Sequence, residues 1–445
     1  MPLLIILILV FLPLARWLMI SPLSLRFFDL SSAMTSLGQL AGLAGFVLFA
    51  LNLIISCRCK FLDNLFYGLD RLYQAHRRLG AIAFCLLLFH PIFLAVKYVT
   101  FSLAAAAGFF LPQFDSAQNI AISLGIFSLL LMTAVLVITF YLAWKYQNWK
   151  ISHKFIVAAF ALAYLHIIFI NSDISRDLWL RFYVIGFGGV GFAAGIYQAF
   201  LSRFFYRHLY KVLAVAPLNT QIVEIELEPM GRPLNFQAGQ FIFIHFKDRV
   251  SAGRDSGVNR AEIHPFTISS APSEKNLKLV IKSLGDFTAD LKSLTPGATA
   301  LVQGPFGKFS HRHWANKNQI WLAGGVGITP FLSFARSLSP DDGYKINLYY
   351  CVYLPEEAVL LDELIRLSQA NPNFRVTAWY SRDRGRIKAE AVSELSGGFI
   401  ADGAPGGAKE ILLCGPSAFM NDLKKQFQQA GAPKKNIHFE EFKVV

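Results

Sequence analysis

Six long apolar stretches before residue 201 leave few choices of fold. Each can cross a bilayer as a helix, because about 20 apolar residues span the hydrocarbon core. Inside hydrocarbon every backbone polar group must be satisfied within the segment, which excludes irregular chain and open sheets. The sequence therefore predicts a six-helix transmembrane bundle, with helices at Leu3–Ile20, Leu37–Ser56, Leu72–Tyr98, Ile120–Trp144, Ile151–Ile170 and Phe182–Phe200.

Composition supports a membrane protein with a soluble part. Hydrophobic residues make up 54% of the chain and charged residues only 16%, which is too apolar for an ordinary soluble enzyme. The net charge of +13 raises the question of nucleic acid, but many Lys and Arg flank the predicted spans and no basic helix or aromatic-interleaved basic stripe occurs. We therefore expect a lipid bilayer as a partner, and no nucleic acid.

Loop charges predict the orientation, since Lys and Arg are enriched on the cytoplasmic side. Basic residues concentrate between helices two and three, between four and five, and after six. The opposite loops carry few. We expect a multi-pass protein of the plasma (inner) membrane with both termini in the cytoplasm. The basic residues are Arg58, Lys60, Arg71, Arg77 and Arg78, then Lys145, Lys150 and Lys154, then Arg203, Arg207 and Lys211.

The third and fifth predicted helices each carry two histidines. His76 and His90 are fourteen residues apart, and His153 and His166 thirteen. Both spacings are close to four helical turns, so each pair lies nearly on one face, about 20 Å apart along the axis. One span separates the two helices, so they run parallel. This arrangement pairs His76 with His153 and His90 with His166.

An imidazole at lipid depth is costly unless it has a partner. Neutral imidazole is a good iron ligand, and haem is the group that two opposed histidines hold. The alternatives are four satisfied core histidines, or a proton relay. The matched pairs favour haem, and the absence of a C-x-x-C-H motif makes it b-type. We therefore predict two b-type haems with these four histidines as iron ligands.

The soluble part reads as two further domains. Short alternating strands joined by Gly- and Pro-bearing turns predict an antiparallel β-barrel, and the strand–helix alternation after Lys317 is typical of a parallel sheet. The chain is thus expected to contain a transmembrane domain at residues 1–206, a barrel at 207–314 and an α/β nucleotide-binding domain at 315–445.

A glycine-rich turn follows the strand that ends at Ala323. A strand, a tight glycine turn and a helix with Pro in its first turn offer free amides and a positive dipole end to a pyrophosphate. The alternative is a plain strand–helix turn. The residues of the predicted nucleotide loop are Gly324, Gly325, Gly327, Thr329 and Pro330.

The run His264-Pro265-Phe266-Thr267-Ile268-Ser269-Ser270 resembles the flavin-binding signature of the ferredoxin-reductase superfamily. Its HPFT form is usual in the NADPH-oxidase and ferric-reductase branch, which also has six helices with two histidine pairs at these spacings. The chain resembles that branch from its second helix to its C-terminus.

The resemblance implies FAD and NADPH as cofactors. His264, Pro265, Phe266, Thr267, Ser269 and Ser270 would contact FAD, as would Lys282, Ser283, Gly285, Asp286, Phe287 and Thr288. Gly304 and Pro305 match the family's GPFG turn. Cys414, Gly415 and Pro416 match a turn near the nicotinamide, and Phe442 matches the C-terminal aromatic over the flavin, which makes Cys414 and Phe442 the expected catalytic residues.

A polar segment after Tyr380 bears on the choice of nucleotide. A serine hydroxyl and guanidinium forks suit a 2′-phosphate, so NADPH is favoured over NADH. The alternative is a solvated charged loop. The residues concerned are Ser381, Arg382 and Arg386.

Together these features predict a transmembrane oxidoreductase that moves electrons from cytosolic NADPH through FAD and two haems to an acceptor outside. Dioxygen, reduced to superoxide, is the first expectation. Oxidases of this family often place polar side chains beside the outer haem, but Leu94 stands four residues after His90. Ferric-chelate reduction and electron supply to a periplasmic partner protein therefore stay open, as does a bundle that merely anchors a flavin reductase.

Overall fold

The computed structural model describes residues 2–99, 102–142, 144, 146–204, 208–247, 262–314, 316–399 and 407–440. The chain divides into two compact units, Met1–Phe205 and Tyr206–Val445. Phe442, the predicted aromatic over the flavin, lies outside the described residues.

The first unit contains six helices long and apolar enough to span a membrane, as predicted. The fifth span begins as one helix, tightens into a single turn at Lys154 and continues as a second helix, directly after His153. The sequence pattern did not predict this interruption. The helices are α1 Pro2–Ile20, α2 Leu30–Ile55, α3 Leu69–Val99, α4 Ala117–Tyr141, α5 Tyr146–His153, α6 Phe155–Phe169 and α7 Leu178–Ile196.

Polar side chains fix where three of these helices begin. The Asp29 carboxylate accepts a hydrogen bond from the backbone N–H of Ser32 at the start of α2. Ser116 caps α4 and Asp177 caps α7 in the same way. These caps satisfy amides that an apolar helix otherwise leaves without a partner at its first turn.

Small residues let the helices of the bundle approach closely. α2 packs along α3, α4 packs along α6, and α7 packs against both α2 and α6. A Cβ on Gly191 of α7 would lie 2.9 Å from the Cα of Ala50, and one on Gly188 would lie 2.8 Å from the ring of Phe46. Close backbone contact of this kind is how helices pack where lipid supplies no hydrophobic driving force.

The second unit begins with a six-stranded antiparallel sheet, which confirms the predicted barrel. The strands are β1 His208–Pro217, β2 Ile222–Pro229, β3 Phe241–Phe246, β4 His264–Thr267, β5 Leu277–Lys282 and β6 Thr299–Phe306. Their order in the sheet is β4-β3-β6-β1-β2-β5, and apolar side chains such as Ile225, Ile242 and Val302 form the buried core.

A five-stranded parallel sheet follows, as expected for a nucleotide-binding domain. The elements are β7 Asn318–Gly324, α8 Thr329–Arg336, β8 Lys345–Val352, α9 Leu361–Ala370, β9 Phe374–Tyr380, α10 Ala389–Ser396, β10 Glu410–Cys414, α11 Ser417–Gln429 and β11 Ile437–Glu440. The strand order is β11-β10-β7-β8-β9, so the order of the strands reverses between β7 and β10.

Candidate cofactor sites

The glycine turn lies at the carboxyl end of β7, at the point where the strand order reverses. Gly325 adopts a left-handed conformation, with φ +56°, and a short 3-10 turn leads into α8. A Cβ on Gly327 would lie 2.4 Å from the carbonyl oxygen of Cys414. Ligands of open parallel sheets bind at such a reversal, because the two neighbouring loops diverge there and leave a crevice.

Cys414 ends β10 beside this crevice, and its thiol is fully buried. Burial raises the pKa of Cys414 well above its ordinary value, and the nearby charge of Glu440 raises it further. The side chain is therefore a neutral thiol at pH 7. It suits a packing contact with a bound ring rather than nucleophilic chemistry.

Glu440 is a residue of this site that the sequence reading missed. It pairs in register with Cys414 across the parallel strands β10 and β11. A Cβ on Gly307, which closes the GPFG turn of the barrel, would lie 2.9 Å from Glu440 Oε1. The structure thus brings the predicted GPFG turn, the glycine loop and the Cys414 turn together around one carboxylate. The sequence signal for this strand was the alternation of apolar and polar residues, with Ile437 and Phe439 two positions apart.

Several of the predicted flavin residues lie together on the barrel, around His264 and Phe287. The ring of His264 lies 3.7 Å from that of Phe287, centroid to centroid, and His264 Nε2 lies 2.8 Å from a carboxylate oxygen of Glu262. The Thr288 hydroxyl accepts hydrogen bonds from the backbone N–H groups of Leu284 and Gly285. Pro265, Phe266 and Thr267 continue β4, Lys282 ends β5 and Ser283 follows it. Asp286 begins a one-turn helix, and Gly304 and Pro305 lie in β6.

Ser269 and Ser270 lie where the barrel meets the nucleotide-binding domain. The Arg336 guanidinium donates to the Ser269 carbonyl at 3.0 Å and makes two hydrogen bonds to Glu363. The Ser333 hydroxyl donates to the Ser270 carbonyl at 2.7 Å. Both predicted flavin serines are fully buried and act in this contact through their backbone carbonyls.

The predicted 2′-phosphate residues follow β9, at the same edge of the sheet as the glycine loop. Ser381 and Arg382 lie in a one-turn helix, Ser381–Arg384, directly after the strand. The Arg382 guanidinium is exposed and pairs with Asp383 at 3.0 Å. Arg386 is exposed as well. An exposed guanidinium at this edge can exchange its exposed carboxylate partner for a phosphate.

In the first unit the four predicted histidines form two facing pairs. The ring centroids of His76 and His153 lie 6.4 Å apart, and those of His90 and His166 lie 6.5 Å apart. Nδ1 of His90 bonds the Gly38 carbonyl oxygen at 2.7 Å. A carbonyl only accepts, so Nδ1 carries the proton and Nε2 of the neutral ring keeps its lone pair. His166 bonds Ala121 and His76 bonds Asn52 through the same atom.

This geometry fits haem iron bound between the two rings of each pair. Two metal–nitrogen bonds of about 2 Å and the half-widths of two imidazoles place ring centroids about 6.4 Å apart. Backbone hydrogen bonds at Nδ1 are the outer contacts that orient a metal-binding imidazole. Among the described residues no group of three or more His, Cys, Asp or Glu side chains could hold a metal ion. Two protein ligands per metal suit a porphyrin, which supplies the other four.

A buried ion pair lies at the His90 end of the bundle, and the sequence reading had found no polar pair there. Arg26 is 7% exposed, donates to Asp173 at 3.1 Å and lies 3.4 Å above the ring of Trp17. The Ser36 hydroxyl donates to the Arg26 carbonyl at 2.9 Å. Ser36 stands two residues before Gly38, which His90 contacts.

Family models match three consecutive parts of the chain. Residues 41–164 match the model described as "Ferric reductase like transmembrane component". Residues 207–313 match an FAD-binding domain, and residues 321–425 match an oxidoreductase NAD-binding domain. In this order the three matches agree with the domain arrangement of the NADPH-oxidase and ferric-reductase superfamily. The chain thus combines six helices long and apolar enough to span a membrane with domains that match FAD-binding and oxidoreductase NAD-binding models.

Its similarity to curated relatives covers about half of each chain. NADPH oxidase 1 of Mus musculus is 24% identical over 268 residues, which are 51% of this chain and 44% of the relative. NADPH oxidase 1 of Rattus norvegicus is 30% identical over 264 residues, 50% and 45% of the two chains. Flavohemoprotein A of Dictyostelium discoideum is 25% identical over 242 residues, 50% and 57%.

Proposed function

We propose that the chain carries electrons from cytosolic NADPH through FAD and two b-type haems to dioxygen on the outer face, producing superoxide. The proposal rests on two facing histidine pairs inside the membrane bundle. The same chain also has FAD- and NAD(P)H-binding domains. When bound, FAD would turn a hydride from NADPH into single electrons, and the haems would give those electrons a path across the bilayer.

The histidines would hold one haem between His76 and His153 and the other between His90 and His166. The protein would then supply two imidazoles to each iron, which would leave no coordination site for a substrate. A terminal acceptor would accordingly take its electron without binding the iron. The four imidazoles thus serve to bind and orient, and they exclude a substrate from the metal.

Buried charge at the His90 end of the bundle supports dioxygen as the acceptor. A fixed cation stabilises an anion that forms nearby, and more so where water is excluded. Arg26 is such a cation, held by Asp173 and by the ring of Trp17. Its backbone is tied through Ser36 to the stretch of α2 that His90 contacts.

Ferric-chelate reduction is the second candidate. An apolar side chain, Leu94, lies close to Gly38, where a Cβ on the glycine would fall 2.9 Å from it. That apolar surface beside His90 favours an acceptor that stays outside the bundle. Electron supply to a periplasmic partner protein belongs to the same class, because such a partner also stays outside.

In the soluble unit the proposed FAD site is the cluster around His264 and Phe287, and the proposed NADPH site is the crevice between the glycine loop and Cys414. Ser381, Arg382 and Arg386 would bind the 2′-phosphate. We place the domains at residues 1–206, 207–314 and 315–445, with both termini in the cytoplasm of a plasma (inner) membrane. The basic loops support this orientation.

The experiment is anaerobic NADPH reduction of the detergent-purified protein, followed in the haem absorption bands, with air then admitted. A superoxide-dismutase-sensitive reporter is present throughout. Haem reduction followed by fast reoxidation with superoxide is the expected result. Haem reduction with slow reoxidation in air and fast reoxidation by a ferric chelate would replace dioxygen with ferric iron. A purified protein without haem bands would overturn the proposal.

A further inference from the structure

The two imidazoles of the outer pair rest on their neighbouring helices in the same way. A Cβ on Gly42 of α2 would lie 2.6 Å from Nδ1 of His90, whose bonded carbonyl belongs to Gly38. A Cβ on Gly125 of α4 would lie 3.0 Å from Nδ1 of His166, whose bonded carbonyl belongs to Ala121. Each ring therefore lies over a glycine and bonds the carbonyl four residues before it.

The positions that correspond to these for the inner histidine pair lie one histidine spacing further along α2 and along α4. Fourteen residues after Gly38 and Gly42 come Asn52 and Ser56 on and just beyond α2. The Ser56 hydroxyl donates to Leu53, which leaves the Asn52 carbonyl to His76 at 3.2 Å. The inner histidine on this side thus keeps its backbone acceptor, although no glycine lies beneath it.

On the other side α4 packs against α5, the helix that ends at His153, and there the corresponding carbonyl already has a donor. Fourteen residues after Ala121 and Gly125 come Val135 and Thr139 on α4. The Thr139 hydroxyl donates to the Val135 carbonyl at 2.7 Å, so that carbonyl already has a donor. In the part of the chain that the structure describes, Nδ1 of His153 is buried and has no hydrogen-bond partner.

We infer that Thr139 keeps the haem between His76 and His153 at a higher reduction potential than the haem between His90 and His166. A hydrogen bond from Nδ1–H to a carbonyl makes an imidazole a more basic ligand, which favours ferric over ferrous iron. Both outer histidines make this bond, but only one inner histidine does. The inference rests on the proposed haem sites, and it means that the outer haem is the stronger reductant facing the acceptor.

The test is a spectroelectrochemical titration of the haem-loaded, purified protein without NADPH. We expect two midpoint potentials, of which the higher one is absent in His76→Ala. In Thr139→Gly, which frees the Val135 carbonyl and removes the side chain above it, the higher midpoint moves down toward the lower one. Thr139→Ala removes the hydroxyl but keeps a Cβ, so it should shift the higher midpoint less than Thr139→Gly does.

Thr133→Gly is the matched control, because the Thr133 hydroxyl makes the same bond to Leu129 on the same helix. Both midpoints should stay where they are in this variant. Gly125→Ala is a reciprocal test, since a Cβ there crowds His166 Nδ1 and should raise the lower midpoint. This second variant keeps the inference testable if Thr139→Gly does not fold.

Two results would overturn the inference while leaving the proposed function intact. One is that His76→Ala retains the higher midpoint and loses the lower one. The other is that Thr139→Gly shifts neither midpoint, or shifts both by the same amount as Thr133→Gly. Absence of haem from the wild-type protein, measured as a pyridine haemochromogen, would instead remove the proposed function itself.

Discussion

The backbone of Gly327 lies against Cys414 so closely that a Cβ on the glycine would fall 2.4 Å from the cysteine's carbonyl oxygen. Gly327 follows β7 and Cys414 ends β10, and these strands are neighbours in the sheet although 87 residues separate the two. The contact fixes the width of the crevice in which we place the nicotinamide nucleotide.

Gly327→Ala should weaken NADPH binding. The added methyl group must displace either the loop or the Cys414 turn, because its nearest neighbours are backbone atoms and not a movable side chain. We expect the KM for NADPH to rise about tenfold or more, which corresponds to about 1.4 kcal/mol. Steady-state reduction of a soluble acceptor measures it. The control is Gly343→Asn, at a left-handed glycine (φ +73°) outside the nucleotide loop. Asparagine tolerates this backbone conformation, so the KM should change much less. An equal rise in the two variants would contradict the steric explanation.

His153→Ala should remove one haem and leave the other. The variant deletes one imidazole of the pair whose centroids lie 6.4 Å apart, and the second pair is unaffected. The haem-to-flavin ratio of the purified protein should fall by half, while NADPH still reduces the flavin. His76→Ala should give the same result. The control is Ser152→Ala, which alters the adjacent residue and its hydrogen bond to Trp149. Retention of both haems in His153→Ala would rule out the pairing.

Arg382→Ala should discriminate between the two nicotinamide nucleotides. An exposed guanidinium at the edge of the sheet binds a 2′-phosphate by charge-assisted hydrogen bonds, which NADH cannot make. The KM for NADPH should rise roughly tenfold and that for NADH should stay constant. The control is Arg384→Ala, which removes the same charge from the same helical turn. The Arg384 guanidinium lies over the Trp379 ring. Equal effects on NADPH and NADH would eliminate the phosphate role.

Periodicity and turn chemistry predicted the elements that carry strong local signals. The six spans lie where the apolar patterns placed them, and the antiparallel and parallel sheets follow in the predicted order. Helix α11 escaped the sequence reading because it is largely polar and buries only Met420, Leu423 and Phe427. Strand β11 escaped because it has four residues.

The contacts that distinguish the sites had weaker signals or none. Glu440 reaches Cys414 only through the pairing of a strand that was missed. The carbonyls of Gly38 and Ala121 are backbone groups, so no side-chain pattern marks them as acceptors for His90 and His166. Gly42 did mark one of these contacts, since a glycine inside an apolar helix indicates close approach by another group.

His311 should make the soluble unit sensitive to acid. Its ring is fully buried against Phe334 and Tyr344, and neither ring nitrogen has a partner within the described ranges. Burial lowers the pKa of His311 from 6.5 to about 3. Between these two values the unfolded chain binds a proton that the folded chain excludes, so the free energy of unfolding falls as the pH falls below 6.5. The slope is about 1.4 kcal/mol per pH unit for this one group.

The variant His311→Phe removes the titrating ring and keeps an aromatic shape in the same surroundings. Thermal unfolding of the full-length protein at pH 7.5 and 5.5, followed by release of flavin fluorescence, measures the effect. We expect the wild type to lose more stability than His311→Phe on going to the lower pH. His313→Phe, at an exposed histidine two residues away, should behave as the wild type does. If His311→Phe loses as much stability as the wild type between the two pH values, the buried ring is not the source of the acid sensitivity.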